Sequence, residues 1–464
     1  MTLRILFLIG LFWAGCQPRP SEVKPLSDIE AKPNFTIDTT FIPVSKQRTG
    51  DPIKGRAYLF SGKYMNSGIP TELFRNPITG VGMSTESDPS TGYSIITTSK
   101  NIEVVTANCL QCHAQQFDGK RIIGMGNSLT DFTIDPSAAI PRSDIFLMQK
   151  YGEQSPEYEA YNPFARALYI MGPQLITEAR GANPADKMAA VLAAHRDPKT
   201  LKWIDEAQLS IPKEVVPTDV PAWWLLKKKN AMFYTSVGRG DFARLMMASS
   251  LLTLQDSTEA AKIDEHFADV QAYIYSLKPP KYPEPLDSIL TAQGAELFKK
   301  KCSTCHGTYG DAPTYPNLLV GLKTIKTDSL LTLANFSNQS FVKWYNHSWF
   351  STGPYSAKLV PQKGYIAPPL DGIWATAPYL HNGSIPTLAD LLNSKLRPEI
   401  WRRDFSNLQY DYEKVGWNYK ILKEKLDKQT YDTSYPGYGN YGHNFGDRLT
   451  DQERLSLIEY LKTL

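Results

Sequence analysis

Cysteine is scarce: five in 464 residues. Four fall into two short clusters and the fifth, Cys16, ends the N-terminal apolar segment, so no pair is left over for a disulfide framework. Charge of one sign is lacking too. Fifty Lys and Arg stand against 47 Asp and Glu, a balance that gives no footprint for nucleic acid. Methionine is missing from the chain after residue 247, because all ten Met residues lie at or before Met247. The apolar run from Ile5 to Trp13 is too short to cross a bilayer.

What is present is one motif written twice: Cys109-Leu110-Gln111-Cys112-His113 and Cys302-Ser303-Thr304-Cys305-His306. Two thiols one helical turn apart can each add to a vinyl group of one porphyrin, and the following histidine then sits under the iron. A zinc ribbon pairs its Cys-x-x-Cys units across roughly 15–20 residues, whereas about 190 separate these. A redox dithiol has no use for the trailing histidine. The motifs therefore predict two covalently bound haem c groups. Their attachment residues are Cys109, Cys112, Cys302 and Cys305, and His113 and His306 are the proximal iron ligands.

The length allows two or three domains. Residues 1–16 have a basic start at Arg4, an apolar run and the small pair Ala14-Gly15 before Cys16, the form of a lipoprotein-type signal peptide. That form predicts export to a bacterial periplasm or cell surface, with a lipid anchor at Cys16 as the only membrane contact. Residues 17–50, rich in Pro, Ser, Thr and Lys, read as a tether or as an ordered arm anchored by Phe35, Phe41 and Ile42. An N-terminal haem c domain with a helical insertion follows over 51–282, and a C-terminal cytochrome c domain over 283–464. The fold class expected is mainly α, two cytochrome c-like domains with long loop and helix insertions. Ile263, Phe267, Val270, Ile274 and Leu277 share one helical face before Pro279-Pro280 ends the helix. Leu290 to Lys300 forms a second amphipathic helix running into Cys302. Thr450-Asp451-Gln452-Glu453 is a capping box opening the last helix. Between 51 and 106 the pattern gives loops and a small hairpin at Tyr93–Thr97.

Function turns on the sixth position of each iron, since a strong ligand makes a relay and an open site binds dioxygen or peroxide. Without methionine, the C-terminal haem draws on His347, His381 or His443, with Lys and Tyr as rarer choices. His443, in the glycine-flanked loop Gly442-His443-Asn444-Phe445-Gly446, is the favoured distal ligand. For the N-terminal haem, Met125 can ligate or pack, and His195 and His266 read as helix histidines. No residue stands out, which makes this haem the substrate-facing one.

The block Thr376-Ala377-Pro378-Tyr379-Leu380-His381-Asn382-Gly383 is similar to bacterial dihaem cytochrome c peroxidases and the methylamine-dehydrogenase maturation enzyme. Its fuller form, from Gly372-Ile373-Trp374 to Asn382-Gly383-Ser384, more closely resembles the rubber-cleaving dihaem oxygenases. So do Trp223-Trp224, Lys227 to Tyr234, Gly238 to Asp241 and the ending from Gly442. The resemblance implies a haem-dependent oxidoreductase, peroxidase- or oxygenase-like. His113 would serve the reactive haem, and His306 with His443 the electron-transferring one. It implies Trp223 or Trp224 near the path between haems, and His381 near the cofactor by hydrogen bonding. Expected partners are a small redox protein or organic donor, and peroxide, dioxygen or an organic substrate. Related peroxidases hold calcium between domains, which no compact acidic loop here demands. A non-catalytic dihaem electron carrier is the alternative.

Overall fold

Two helix crossings, each made at a glycine, frame the molecule. A computed structural model describes residues 38–74 and 92–464. The signal segment, Cys16, most of the 17–50 stretch and residues 75–91 lie outside the described residues. Five helices position the site: α1 (Pro52–Ser61), α2 (Ala185–Ala194), α3 (Ser257–Ser276), α4 (Ser288–Lys301) and α5 (Asp451–Leu461). Helix α1 packs on α3 and α4 on α5. A Cβ at Gly55 of α1 would run into the Asp269 carbonyl, and one at Gly294 of α4 into that of Ser456. Four residues on from each glycine, Leu59 and Phe298 are buried, and Phe298 meets Tyr460 at 5.3 Å between ring centres. The same glycine-and-anchor spacing therefore closes both crossings, a physical repeat beneath two unlike sequences.

The helix ends follow local chemistry. Asp51, Asp256 and Asp287 each accept two backbone N–H groups at the start of α1, α3 and α4, satisfying donors that helices leave open. The Thr450–Glu453 capping box forms as expected, with both reciprocal bonds in place. Helix α1 itself lies in the stretch read as loops, because its apolar positions show no clear helical period.

The expectation of a mainly α fold needs correction. The described residues are about 40% helix and 15% strand, a mixed structure. Long segments between helices are broken by Gly and Pro, and they satisfy their backbone groups by pairing in short ribbons. Tyr93–Thr97 pairs antiparallel with Glu103–Ala107, the predicted hairpin. In another sheet, β1 (Thr39–Phe41) and β3 (Gly364–Ile366) flank β2 (Leu318–Gly321), all antiparallel. The described end of the 17–50 stretch thus lies along the body. Ile42 is buried beside Leu319 and Ile366, Phe41 points outward, and Arg48 pairs with Asp241 and Asp264.

The cores do not follow chain order. One joins α1, α2 and α3 residues to Trp344, Tyr345, Phe350 and Leu359 from the second half. The other joins Phe117, Met125 and Trp224 from the first half to α4, α5 and the 374–392 segment. The division at about 282 separates the two motifs along the chain, while the packing around them interleaves.

Candidate haem-binding site

Each motif forms one short helical turn, Leu110–His113 and Ser303–His306, but the two are delivered differently. The first follows the Glu103–Ala107 strand, and Asn108 starts its turn by accepting the Leu110 N–H on its side chain at 2.8 Å. The second continues from α4, with the Cys302 N–H bonded to Phe298 O at 2.8 Å. Both open into one cavity of about 1230 Å³, larger than the roughly 300–1,000 Å³ of an ordinary ligand pocket. Its wall includes all four motif cysteines together with His113, His306, His381 and His443.

The thiols are neutral and protonated, because burial pushes Cys109 and Cys302 up to about 11. A dithiol held in the protonated form is a poor nucleophile. Among the described residues no three His, Cys, Asp or Glu side chains converge as a non-haem metal would require.

The imidazoles fit haem. His306 Nδ1 bonds to Pro368 O at 2.8 Å, which turns its other nitrogen away from that strand. The His443 ring stands opposite, with ring centres 6.3 Å apart. Two metal–nitrogen bonds of roughly 2 Å, plus about 1 Å from each nitrogen to its ring centre, span about 6 Å. The gap would therefore admit a haem iron held by the two imidazoles. Burial, with His306 and Arg397 nearby, holds His443 down to about 3, the neutral form that can ligate.

Local packing explains why His443 sits there. It adopts φ 48 after Gly442 at φ 78, and a Cβ at Gly442 would strike the Lys326 backbone. The His443 N–H bonds to Ile325 O at 2.8 Å. Arg397 clamps the loop, donating to the carbonyls of Asn440 and Gly442 at 2.9 and 2.7 Å and of His443 at 3.3 Å. It is held in turn by Asp390 O and Leu391 O. Asn382 donates to Gly437 O and Gly439 O, both at 2.9 Å, contacts that an ionised Asp could not make. Nothing in the sequence pattern marked Arg397. Asn382 stands inside the Thr376–Gly383 block, where nothing in the pattern marks this role.

His113 has different surroundings. Burial holds it down to about 3, opposed by the Pro221 carbonyl. That carbonyl falls short of hydrogen-bond geometry, and Nδ1 is buried without a partner. Its ring stacks on Trp223 at 4.4 Å and 20°, and no second imidazole faces it. Met125 is packed in the second core, accepting from Gln115, outside the cavity wall. His195 stacks on Trp203 and His266 on Tyr58, while His347 bonds back to Lys343 O. None of the three lines the cavity.

The tryptophan pair divides. Trp223 belongs to the first core and lines the cavity. Trp224 belongs to the second, fully buried, with its indole N–H on Asp371 O at 2.8 Å. His381 stacks on Tyr365 at 4.1 Å, and its backbone carbonyl accepts the Asp219 N–H. Its Nε2 is buried with no protein partner.

Three polar groups in the wall were not anticipated. Asp219 accepts the Tyr234 hydroxyl at 2.7 Å, and burial holds its carboxyl up to about 7. Asp186, at the start of α2, keeps free surface towards the cavity while protein surrounds it, and burial raises it to about 6. Lys229 is the third. Isolated acids in an otherwise ordinary helix start carry no spacing signal in the sequence. Around them the wall is largely apolar, with Leu168, Met171, Leu192, Leu252 and Phe341 among its residues.

A buried cavity that gathers Cys-x-x-Cys-His thiols and paired imidazoles defines a haem-containing cytochrome of the c type. Residues 364–402 match the family described as RoxA-like, cytochrome c-like, a segment containing the Pro368–Leu388 block. The C-terminal half thus holds a cytochrome c-like domain, which implies covalently bound haem c, and the match supports a relationship to rubber-oxygenase-like cytochromes. Two proteins of Sinorhizobium fredii are also similar. Uncharacterized protein y4iM is 28% identical over 302 residues, 54% of this chain and 66% of its own length. Uncharacterized protein y4iJ is 28% identical over 256 residues, 40% of this chain and 41% of its own. The chain thus spans just under two thirds of the first relative and well under half of the second.

Proposed function

We propose that the protein is an exported dihaem c-type cytochrome acting as a peroxidase- or oxygenase-like oxidoreductase. In this reading the haem on Cys109 and Cys112 is the reactive centre, and the haem on Cys302 and Cys305 passes electrons. The asymmetry of the histidines carries the reading: His306 has His443 across from it, whereas His113 has only Trp223 against its ring. An iron held by two imidazoles relays electrons, while one with an open position binds dioxygen or peroxide.

The chain's own residues divide the work. His113 and His306 fix the two proximal sides, and the Arg397-clamped loop presents His443 to close the second centre. Trp223 and Trp224, adjacent in sequence, put one indole on His113 and the other in the second core, a short route between the two. The apolar wall excludes water and suits an organic substrate, and Asp186, with its carboxyl raised to about 6, can take up or release a proton within it near neutral pH. Electrons would come from a small redox protein or organic donor. Cys16 would carry the lipid that keeps the protein at a periplasmic or outer surface. Among the described residues no helix is long and apolar enough to cross a membrane.

Ferric absorption and spin-resonance spectra of the purified protein test this. The expected result is one low-spin haem and one that is high-spin or weakly ligated and binds carbon monoxide on reduction. Two low-spin haems, both inert to carbon monoxide and cyanide, would replace the enzyme with the electron-carrier alternative.

A further inference from the structure

Three consecutive lysines meet three different fates. Lys227 is exposed. Lys228 pairs with both Asp371 oxygens at 2.7 and 2.8 Å and lies over the Tyr309 ring. Lys229 turns inward and lines the cavity, with its Nζ donating to Phe233 O at 3.3 Å. The cause is local geometry. Trp223–Lys228 is a 3-10 helix, and three residues per turn bring Trp223, Leu226 and then Lys229 onto one side. All three are in the cavity wall.

That leaves a cation facing an apolar space. Among the described residues no carboxylate lies within ion-pair distance of it, and burial alone acts on its charge, drawing it down to about 8. A partly enclosed ammonium whose charge is opposed by burial gains from any anion or other strong acceptor that shares its space. One long carbonyl contact is a weak partner for three donors. The missing anion is something a haem brings with it, because its porphyrin carries two propionate carboxylates.

We propose that Lys229 receives a propionate of a haem held in this cavity, positioning the porphyrin edge and setting its potential. The inference rests on the haem reading of the cavity. A ferric centre bears one more positive charge than a ferrous one, so a nearby cation favours the ferrous state. Removing the ammonium leaves the propionate charge uncompensated and favours the ferric state.

The test is a redox titration, followed by haem absorbance, of the full haem-loaded chain as wild type, Lys229→Met and Lys229→Arg. In Lys229→Met the ferric-to-ferrous ratio of one haem should rise about tenfold at fixed potential, a fall of about 59 mV for one electron. Lys229→Arg, which keeps the charge, should stay close to wild type. If Lys229→Met does not fold, Lys229→Gln is the neutral comparison. An unmoved midpoint in a neutral variant with full haem content overturns the assignment of Lys229 and leaves the haem reading standing. A wild-type protein without haem absorbance overturns both.

Discussion

Arg397 clamps the loop that carries His443, the proposed sixth ligand of the second haem, and its removal can be worked through. The guanidinium ties two carbonyls on its own side, Asp390 O and Leu391 O, to three on the loop: Asn440 O, Gly442 O and His443 O. Two of the loop bonds, at 2.9 and 2.7 Å, have good geometry. Hydrogen bonds to charged donors are worth about 1.5–3 kcal/mol each. Because the loop is only partly buried, water replaces some of that in Arg397→Met, and a net loss of about 2–3 kcal/mol is reasonable. At a tenfold change per 1.4 kcal/mol, the ratio of attached to detached His443 should fall about 30- to 140-fold.

The low-spin signal of the second haem reads that ratio. Arg397→Met should move the spectrum towards that of His443→Ala, and Arg397→Lys, with one point of charge in place of a fork, should lie between. Thermal unfolding separates this from general damage. A variant that melts earlier yet keeps the full low-spin signal would show that the loop holds His443 unaided, and the clamp would be refuted.

Two further outcomes follow from the packing and the buried acids. Gly294→Val forces a side chain into the Ser456 carbonyl where α4 crosses α5, an overpacking cost of about 1–3 kcal/mol. Melting should come earlier with haem attachment at Cys302 and Cys305 retained, and an unchanged melting temperature would mean that the crossing is looser than described. Asp219 is held up to about 7 by burial, against about 3.9 in an unfolded chain. Between those values the folded state keeps a proton that the unfolded chain has lost, so its contribution to stability is present at low pH and is lost as pH rises through about 7. Relative to Asp219→Asn, the wild type should therefore lose stability from pH 5 to pH 7.5. Parallel profiles over that range would remove Asp219 as the source.

The parts legible in the sequence were those with a fixed local grammar. The two Cys-x-x-Cys-His turns, the stripe along α3, the helix leading into Cys302 and the Thr450 capping box are specified by neighbours a few residues apart. His443 was reachable because methionine is missing from its half and glycine flanks it. What could not be read depends on partners far along the chain. Arg397 acts on carbonyls more than forty positions away, and backbone carbonyls leave no mark in a sequence. The strand β1 is an ordinary Thr-Thr-Phe until β2, nearly three hundred residues later, supplies its register. Met125 and Lys229 show the same limit in opposite directions. A thioether close behind the first motif packs away from the cavity, and a lysine in a run of three enters it.

The interleaved cores bear on why two unlike centres share one space. Were each motif enclosed by its own half of the chain, a wall would separate the cofactors, and exchange between them would cross two domain surfaces. Here Trp344, Tyr345 and Phe350 complete the first core, while Phe117, Met125 and Trp224 complete the second. The boundary thus becomes shared packing, pinned by Lys228 on Asp371 and by the Trp224 indole on the same residue's carbonyl. Shared packing is dense and deforms little. In the proposed dihaem reading it would hold the separation and orientation of the two centres constant while the cavity between them stays open, and constant separation is what a relay requires. The asymmetry of the ligands then needs no difference in fold. In the proposed reading one loop, held over His306 by Arg397 and Asn382, would cap the second centre, and the first, with no such loop over His113 among the described residues, would keep its side of the cavity free for chemistry.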